Sequence, residues 1–302
     1  MSEHGIVTDS RPWQHGAFPL EKTKMHMDSW AETEISANGI TLHCWRTGGD
    51  QKPLLVLAHG FSDNGLCWYR AAKQLAEKCD VLMFDARNHG LSSRAPAGAE
   101  AMAEDLAALI KAVSPDRPVH LLGHSMGAST VASVVARWPQ LVKSALLEDP
   151  PWMVKDDSQT KEAAAEAAKK RGEEFRKFLE LIRSRSPEAA QKLGKTLNPD
   201  WHEDDFPAWV ESKQQVSDEA AKGLSFPDWR TDGPNLTVPT LLIYTDGKRD
   251  GMLTKPVVDE LLEGNKQLSA AEIVGAGHNI RRENFKDYMR AVEAFLDITC
   301  QS

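Results

Sequence analysis

Apolar and polar positions in the first half of the chain repeat in one order: a continuous apolar run, a loop, then a stretch with apolar residues three and four apart. Pro53-Leu-Leu-Val-Leu-Ala58 is the kind of run carried by a parallel strand covered on both faces. Trp68–Lys78 has helical spacing, and Val81–Phe84 reads as the next strand. Glu100–Val113 reads as a helix with Met102, Leu106, Leu109 and Ile110 on one side. Val119–Leu122, Met126–Arg137 and Val142–Leu147 continue the series as strand, small-residue helix and strand. Ahead of them, Thr33–Ala37 and Ile40–Trp45 meet at Asn38-Gly39, a strong hairpin signal. Such alternation predicts an α/β fold with a doubly wound, mostly parallel sheet and right-handed crossovers.

The alternation stops near Pro150 and resumes at Pro239–Tyr244, followed by a strand at Glu272–Val274 and a closing helix over Glu283–Leu296. Between lies Lys161–Arg185, a charged helix with Phe175, Phe178, Leu179 and Ile182 on its apolar side, then shorter helical pieces. The expected division is an N-terminal arm over residues 1–32, a core over 33–150 and 235–302, and an inserted helical cap over 151–234. Trp13, Phe18 and Trp30 are the arm residues able to pin it to the body or to a second subunit.

Gly123-His-Ser-Met-Gly127 lies between the strand Val119–Leu122 and the helix Met126–Arg137. That setting is the one a nucleophile elbow requires, with Ser125 lifted above the carboxyl edge of the sheet on a strained turn. A serine hydroxyl needs a base to take its proton. His278, in the loop Gly275-Ala-Gly-His278 after the last strand, is the candidate, and no other histidine lies beyond residue 202.

The chain order serine, acid, histidine directs the acid to the loop Thr245-Asp-Gly-Lys-Arg-Asp250. Asp246, at the strand end, is favoured; Asp250 is the alternative, with Glu148 or Asp149 at the end of the preceding strand behind them. The acid would fix the imidazole tautomer and stabilise its cation. An oxyanion hole needs two backbone amides, here expected from Phe61 and Met126, while His59 and His124 read as packing residues.

Composition narrows the partners. With 302 residues, 41% apolar, 26% charged and a net charge of -8, the chain has no basic footprint for nucleic acid. No stretch approaches the roughly 18 apolar residues that cross a bilayer, and residues 1–30 hold no apolar run of signal-peptide type. Cys44, Cys67, Cys79 and Cys300 form no CxxC pair and no zinc-like spacing with histidine. A cytoplasmic enzyme with a small-molecule substrate and no metal is expected, and the arm makes a homodimer one further expectation.

The motifs His59-Gly-Phe61, Asp85-Ala-Arg-Asn-His-Gly90, Gly123-His-Ser-Met-Gly127 and Gly277-His278 resemble those of the α/β-hydrolase superfamily, over about residues 33 to 298. Within it the chain is similar to cap-bearing esterases, perhydrolases, lactonases and carbon–carbon bond hydrolases, a likeness that implies no cofactor. The acid loop lacks the usual glycine at Thr245 and is longer than the common form. The segment after His59 lacks the Ser-Gly-rich form of carbon–carbon hydrolases. Serine rather than aspartate at the elbow separates the chain from haloalkane dehalogenases and epoxide hydrolases.

The expected reaction is hydrolysis of a carboxylic ester or lactone of a small apolar or aromatic substrate through an acyl-enzyme on Ser125. Amide, carbamate and carbon–carbon cleavage use the same machinery. A non-catalytic small-ligand receptor is the reading from another class, and an intact serine, histidine and acid set argues against it. Nine tryptophans against three tyrosines direct attention to Trp68, Trp152, Trp201, Trp209 and Trp229 as an aromatic pocket, with burial in the core as the competing role.

Overall fold

The computed structural model describes residues 30–49, 51–152, 161–221 and 228–301, so most of the expected N-terminal arm, with Trp13 and Phe18, lies outside the described residues. Strands β1 (Ala31–Ala37) and β2 (Ile40–Arg46) form the hairpin, with Asn38 and Gly39 at φ of 50° and 76° in its turn. Six further strands follow: β3 (Leu54–Ala58), β4 (Asp80–Phe84), β5 (Val119–His124), β6 (Val142–Glu148), β7 (Thr240–Thr245) and β8 (Leu268–Ile273). They make one sheet in the order β1-β2-β4-β3-β5-β6-β7-β8, parallel from β4 to β8 and antiparallel at the hairpin end.

The continuous apolar runs exist because both faces of this sheet are covered. Side chains alternate along β3: Val56 and Ala58 join one apolar cluster, Leu55 and Leu57 the other. The first cluster is closed by α2 (Ala99–Val113), α3 (Met126–Arg137) and α8 (Lys255–Gly264). The second is closed by α1 (Tyr69–Leu75) and α9 (Phe285–Gln301). Each fully buried leucine or valine contributes roughly 1.5–3 kcal/mol relative to its exposed form. Helix α8 was not foreseen, although Val257, Val258 and Leu261 form its buried stripe and Pro256 sits in its first turn.

Between β6 and β7 the described residues contain helices and no strand. These are α4 (Lys161–Arg183), α5 (Pro187–Leu197), α6 (Phe206–Gln215) and the single turn α7 (Trp229–Asp232). Ser186 caps α5 by accepting the Ala189 amide, with Pro187 in the first turn. The insertion has an apolar cluster of its own, built from Ile182, Ala190, Trp201, Phe206, Trp209 and Val210. A second cluster, Leu179, Val216 and Ala220 with Phe175, closes over Phe61 of the core. Among the described residues no helix is long and apolar enough to cross a membrane.

Candidate active site

Ser125 ends β5 and starts α3 at φ 50° and ψ -115°, a conformation that L residues rarely adopt. Such a left-handed residue costs on the order of 1 kcal/mol and persists only where its surroundings hold it. Here the two motif glycines allow the close approach: a Cβ on Gly127 would stand 2.1 Å from the Ala58 carbonyl oxygen, and one on Gly123 2.4 Å from that of Gly127. The Ser125 amide donates to the Glu148 carbonyl at 2.9 Å and so extends the ladder between β5 and β6. Helix α3 begins at the next residue, Met126, which places the positive end of the helix beside the hydroxyl.

One strand over, Asp149 extends the neighbouring ladder, its amide donating to the Ile243 carbonyl at 2.9 Å. Its carboxylate is fully buried, and it accepts His278 Nδ1–H at 2.6 Å. It also accepts the amides of Met252 and Leu253, at 2.9 and 2.8 Å. That arrangement fixes the imidazole with its Nε2 free to accept a proton. Asp149 is itself left-handed, at φ 41°.

The imidazole therefore faces neither of the acids expected from the β7 loop. Asp246 stays with its own loop, paired with Lys248 Nζ at 3.0 Å, which holds its carboxyl below the usual range. Asp250 accepts the backbone N–H of His278 at 3.2 Å and so supports the His278 loop from outside the ring. The loop expected to bring the acid instead brings two amides to an acid on the adjacent strand. A carboxylate with no contact to water needs such donors.

The segment after β3 is a tight turn. The Asp63 amide donates to the Gly60 carbonyl at 3.1 Å, with Phe61 and Ser62 between them and Ser62 left-handed at φ 64°. Phe61 is half-buried, its ring 4.9 Å from that of Phe175 on α4. His59 is a packing residue: Nδ1 donates to the Gly60 carbonyl and Nε2 accepts the Ala86 amide, at 2.8 and 2.9 Å. Burial pushes its pKa down to about 4. His124 donates Nε2–H to the His278 carbonyl at 3.0 Å and ties the turn of Ser125 to the His278 loop.

A buried ion cluster that was not foreseen surrounds this turn. Asp63 accepts Lys213 Nζ of α6 at 3.1 Å, Arg281 at 3.1 Å and Arg282 at 3.0 Å. Burial opposes the Asp63 charge, but Arg282, Lys213 and Arg281 together hold its carboxyl well below the usual range. Arg281 also pairs with Glu148 at 3.3 Å, and its amide donates to the same carboxylate at 3.0 Å. One connected set of charges thus joins the turn of Phe61, the loop of His278, the strand end before Asp149, and the insertion.

The five tryptophans expected to line a pocket are buried in apolar clusters instead. Trp152 and Trp229 pack in the first core cluster, and Trp68 in the second under the Arg281 guanidinium. Trp201 and Trp209 cross edge to face at 6.1 Å within the insertion's own core. Large aromatic area is satisfied by burial first, and these rings hold the scaffold together.

With the geometry in place, comparison with known proteins fixes the family. The model of the alpha/beta hydrolase family matches residues 55–291. The chain belongs to that family. It is 37% identical over 120 residues to the N-formylmaleamate deformylase of Pseudomonas putida, a match spanning 39% of this chain and 44% of that protein. Over 277 residues it is 22% identical to the 2-(acetamidomethylene)succinate hydrolase of Mesorhizobium japonicum, covering 89% of this chain and 96% of that one. The solved enol-lactonase of Burkholderia xenovorans LB400 is similar with a TM-score of 0.66 at 21% identity, covering 88% of this chain and 100% of that chain. At that identity the likeness concerns the fold. Family membership supports a hydrolase.

Proposed function

We propose that the chain is a serine hydrolase that cleaves a small carboxylic ester or lactone through an acyl-enzyme on Ser125. The observation that carries this reading is the 2.6 Å bond from His278 Nδ1 to the buried Asp149, one strand from a serine on a strained elbow. In the reaction, His278 Nε2 takes the hydroxyl proton while Ser125 Oγ bonds to the carbonyl carbon. The carbonyl π pair moves to the oxygen, stabilised by the amides of Phe61 and Met126. That pair returns, the bond to the alcohol oxygen breaks, and His278 gives its proton to the leaving alkoxide. A water then repeats the sequence on the acyl-enzyme with the same base. The helical insertion acts as a cap, and the tilted contact of Phe175 with Phe61, at 4.9 Å, supports that role.

The test is hydrolysis of short and medium-chain p-nitrophenyl esters by the wild type and by Ser125→Ala and His278→Ala. Turnover by the wild type with loss of roughly 10⁴-fold or more in each variant is the expected result. Turnover that survives Ser125→Ala would overturn the mechanism. Absence of turnover alongside tight binding of a small ligand would favour the receptor reading.

A second reading, cleavage of an N-acyl amide, is favoured by the likeness to the deformylase and to the acetamidomethylene succinate hydrolase. It uses the same steps with an amine as leaving group. Paired N-formyl, N-acetyl and O-acetyl substrates of one carbon skeleton separate the two by kcat/KM.

A further inference from the structure

Within the turn that carries Phe61, the Asp63 amide bonds back to the Gly60 carbonyl at 3.1 Å, and the peptide between them is gripped from outside. Ser62 adopts a left-handed φ of 64° without being glycine, and its side chain makes no hydrogen bond among the described residues that would explain it. What grips this peptide comes from the insertion. Lys213 of α6, 3% exposed, reaches into the core and donates to the Ser62 carbonyl at 3.0 Å and to Asp63 Oδ1 at 3.1 Å. Its third proton goes to Ser212 Oγ at 3.2 Å. All three donors of the ammonium are thereby used within the protein, so the group is unavailable as a substrate cation or a proton carrier.

We propose that Lys213 is a positioning residue: by clamping the left-handed Ser62 and the neighbouring Asp63, it aims the Phe61 amide at the oxyanion position. The inference rests on the reading of Phe61 given above and assigns it a determinant outside the core of the fold. The insertion holds the turn twice, through the Lys213 ammonium on the backbone and through the Phe175 ring on the Phe61 side chain. Binding over the site and stabilisation of charge within it are then linked by two helices of the insertion, α4 and α6.

Removing the ammonium need not unfold the protein. Without Lys213, Arg281 and Arg282 still face Asp63 and Glu148, two cations against two carboxylates. Lys213→Met keeps the length and apolar body of the side chain over Trp209. Ser62→Gly added to Lys213→Met removes the cost of the left-handed conformation and lets the turn form without its clamp. A side chain that served stability alone would gain nothing catalytic from that second change.

The experiment compares wild type, Lys213→Met and Lys213→Met/Ser62→Gly at pH 8. It measures the rate at which a fluorophosphonate labels Ser125, kinetics on p-nitrophenyl acetate, and thermal unfolding. Labelling and kcat should fall roughly 10- to 100-fold in Lys213→Met, because an oxyanion donor acts in the transition state. KM should stay within about threefold, and the glycine should restore several-fold of the loss. Labelling of Lys213→Met at the wild-type rate would overturn the inference while leaving the serine hydrolase reading intact. A loss matched by the unfolded fraction, with no recovery by glycine, would overturn it equally. Failure of the wild type itself to label would instead defeat the parent reading, and this inference with it.

Discussion

Asp149→Asn is the most informative substitution, because the structure prescribes the orientation of the new amide. Asp149 Oδ1 accepts the Leu253 and Met252 amides at 2.8 and 3.1 Å, while Oδ2 accepts His278 at 2.6 Å and shares the Met252 amide at 2.9 Å. An asparagine has one acceptor oxygen, and two fixed backbone amides claim it. The side-chain NH2 must then face the imidazole, which can accept it only by moving its own proton from Nδ1 to Nε2. A protonated Nε2 cannot take the Ser125 proton, so the fold survives and the base is disabled. The expected loss is on the order of 10⁴-fold in kcat, or about 5 kcal/mol of transition-state stabilisation. The assay is p-nitrophenyl ester turnover, with thermal unfolding to establish that the variant is folded. Asp246→Asn should lose less than about tenfold, since its carboxylate faces Lys248 and its own loop. Asp250→Asn should fall between the two, since it touches only the backbone of His278. Activity in Asp149→Asn within about tenfold of wild type, with a large loss in Asp250→Asn, would refute the assignment.

Three further outcomes are expected. Burial pushes the Asp85 carboxyl up to about 7, with the Gly65 and Leu91 amides drawing it partly back. The folded state then binds a proton that the unfolded state has released between about pH 4 and 7, so this group's contribution falls as pH rises through that window. Denaturant unfolding at pH 5 and pH 8 should show a fall of up to about 2.6 kcal/mol from this group, and Asp85→Asn should lessen that fall; an unaltered pH dependence would count against the argument. Gly127→Ala should cost about 3 kcal/mol or more by thermal unfolding, because its Cβ would lie 2.1 Å from a strand carbonyl. Trp209→Ala should cost about 3–5 kcal/mol of stability and leave the acyl-chain preference unchanged, whereas a shifted preference would return this ring to the pocket.

Legibility in the sequence followed physical locality. Helix α3 has the expected limits, Met126–Arg137, because glycine at the elbow and a buried small-residue face are local signals. The strands β3, β4, β5 and β6 were visible as apolar runs because both of their faces are covered. Strand β8 begins at Leu268 rather than Glu272: it lies at the edge of the sheet, and Ser269 and Ala270 are exposed. The facing acid was not legible by the same means. Asp149 and Asp250 both come close to His278, and which carboxylate meets the ring depends on where the Met252 and Leu253 amides point, a tertiary fact. A local hint existed in Asp149 itself, which directly follows the fully buried end of β6. The charge cluster was hidden for a related reason. Asp63, Lys213 and Arg281 are far apart in the chain, and each alone reads as a surface charge.

The left-handed residues Ser62, Ser125 and Asp149 all border the carboxyl edge of the sheet, in or beside the proposed site. Each is a place where the chain could relax, and each belongs to a residue whose position the reaction would need. Attempts to make this protein more heat-resistant therefore have a natural boundary. Glycine at Ser125 or Asp149 would relieve strain only by deleting the side chain that the proposed reaction uses, a poor exchange. Hardening is better sought in the helix pairs and in the hairpin edge, leaving the tense rim as it is.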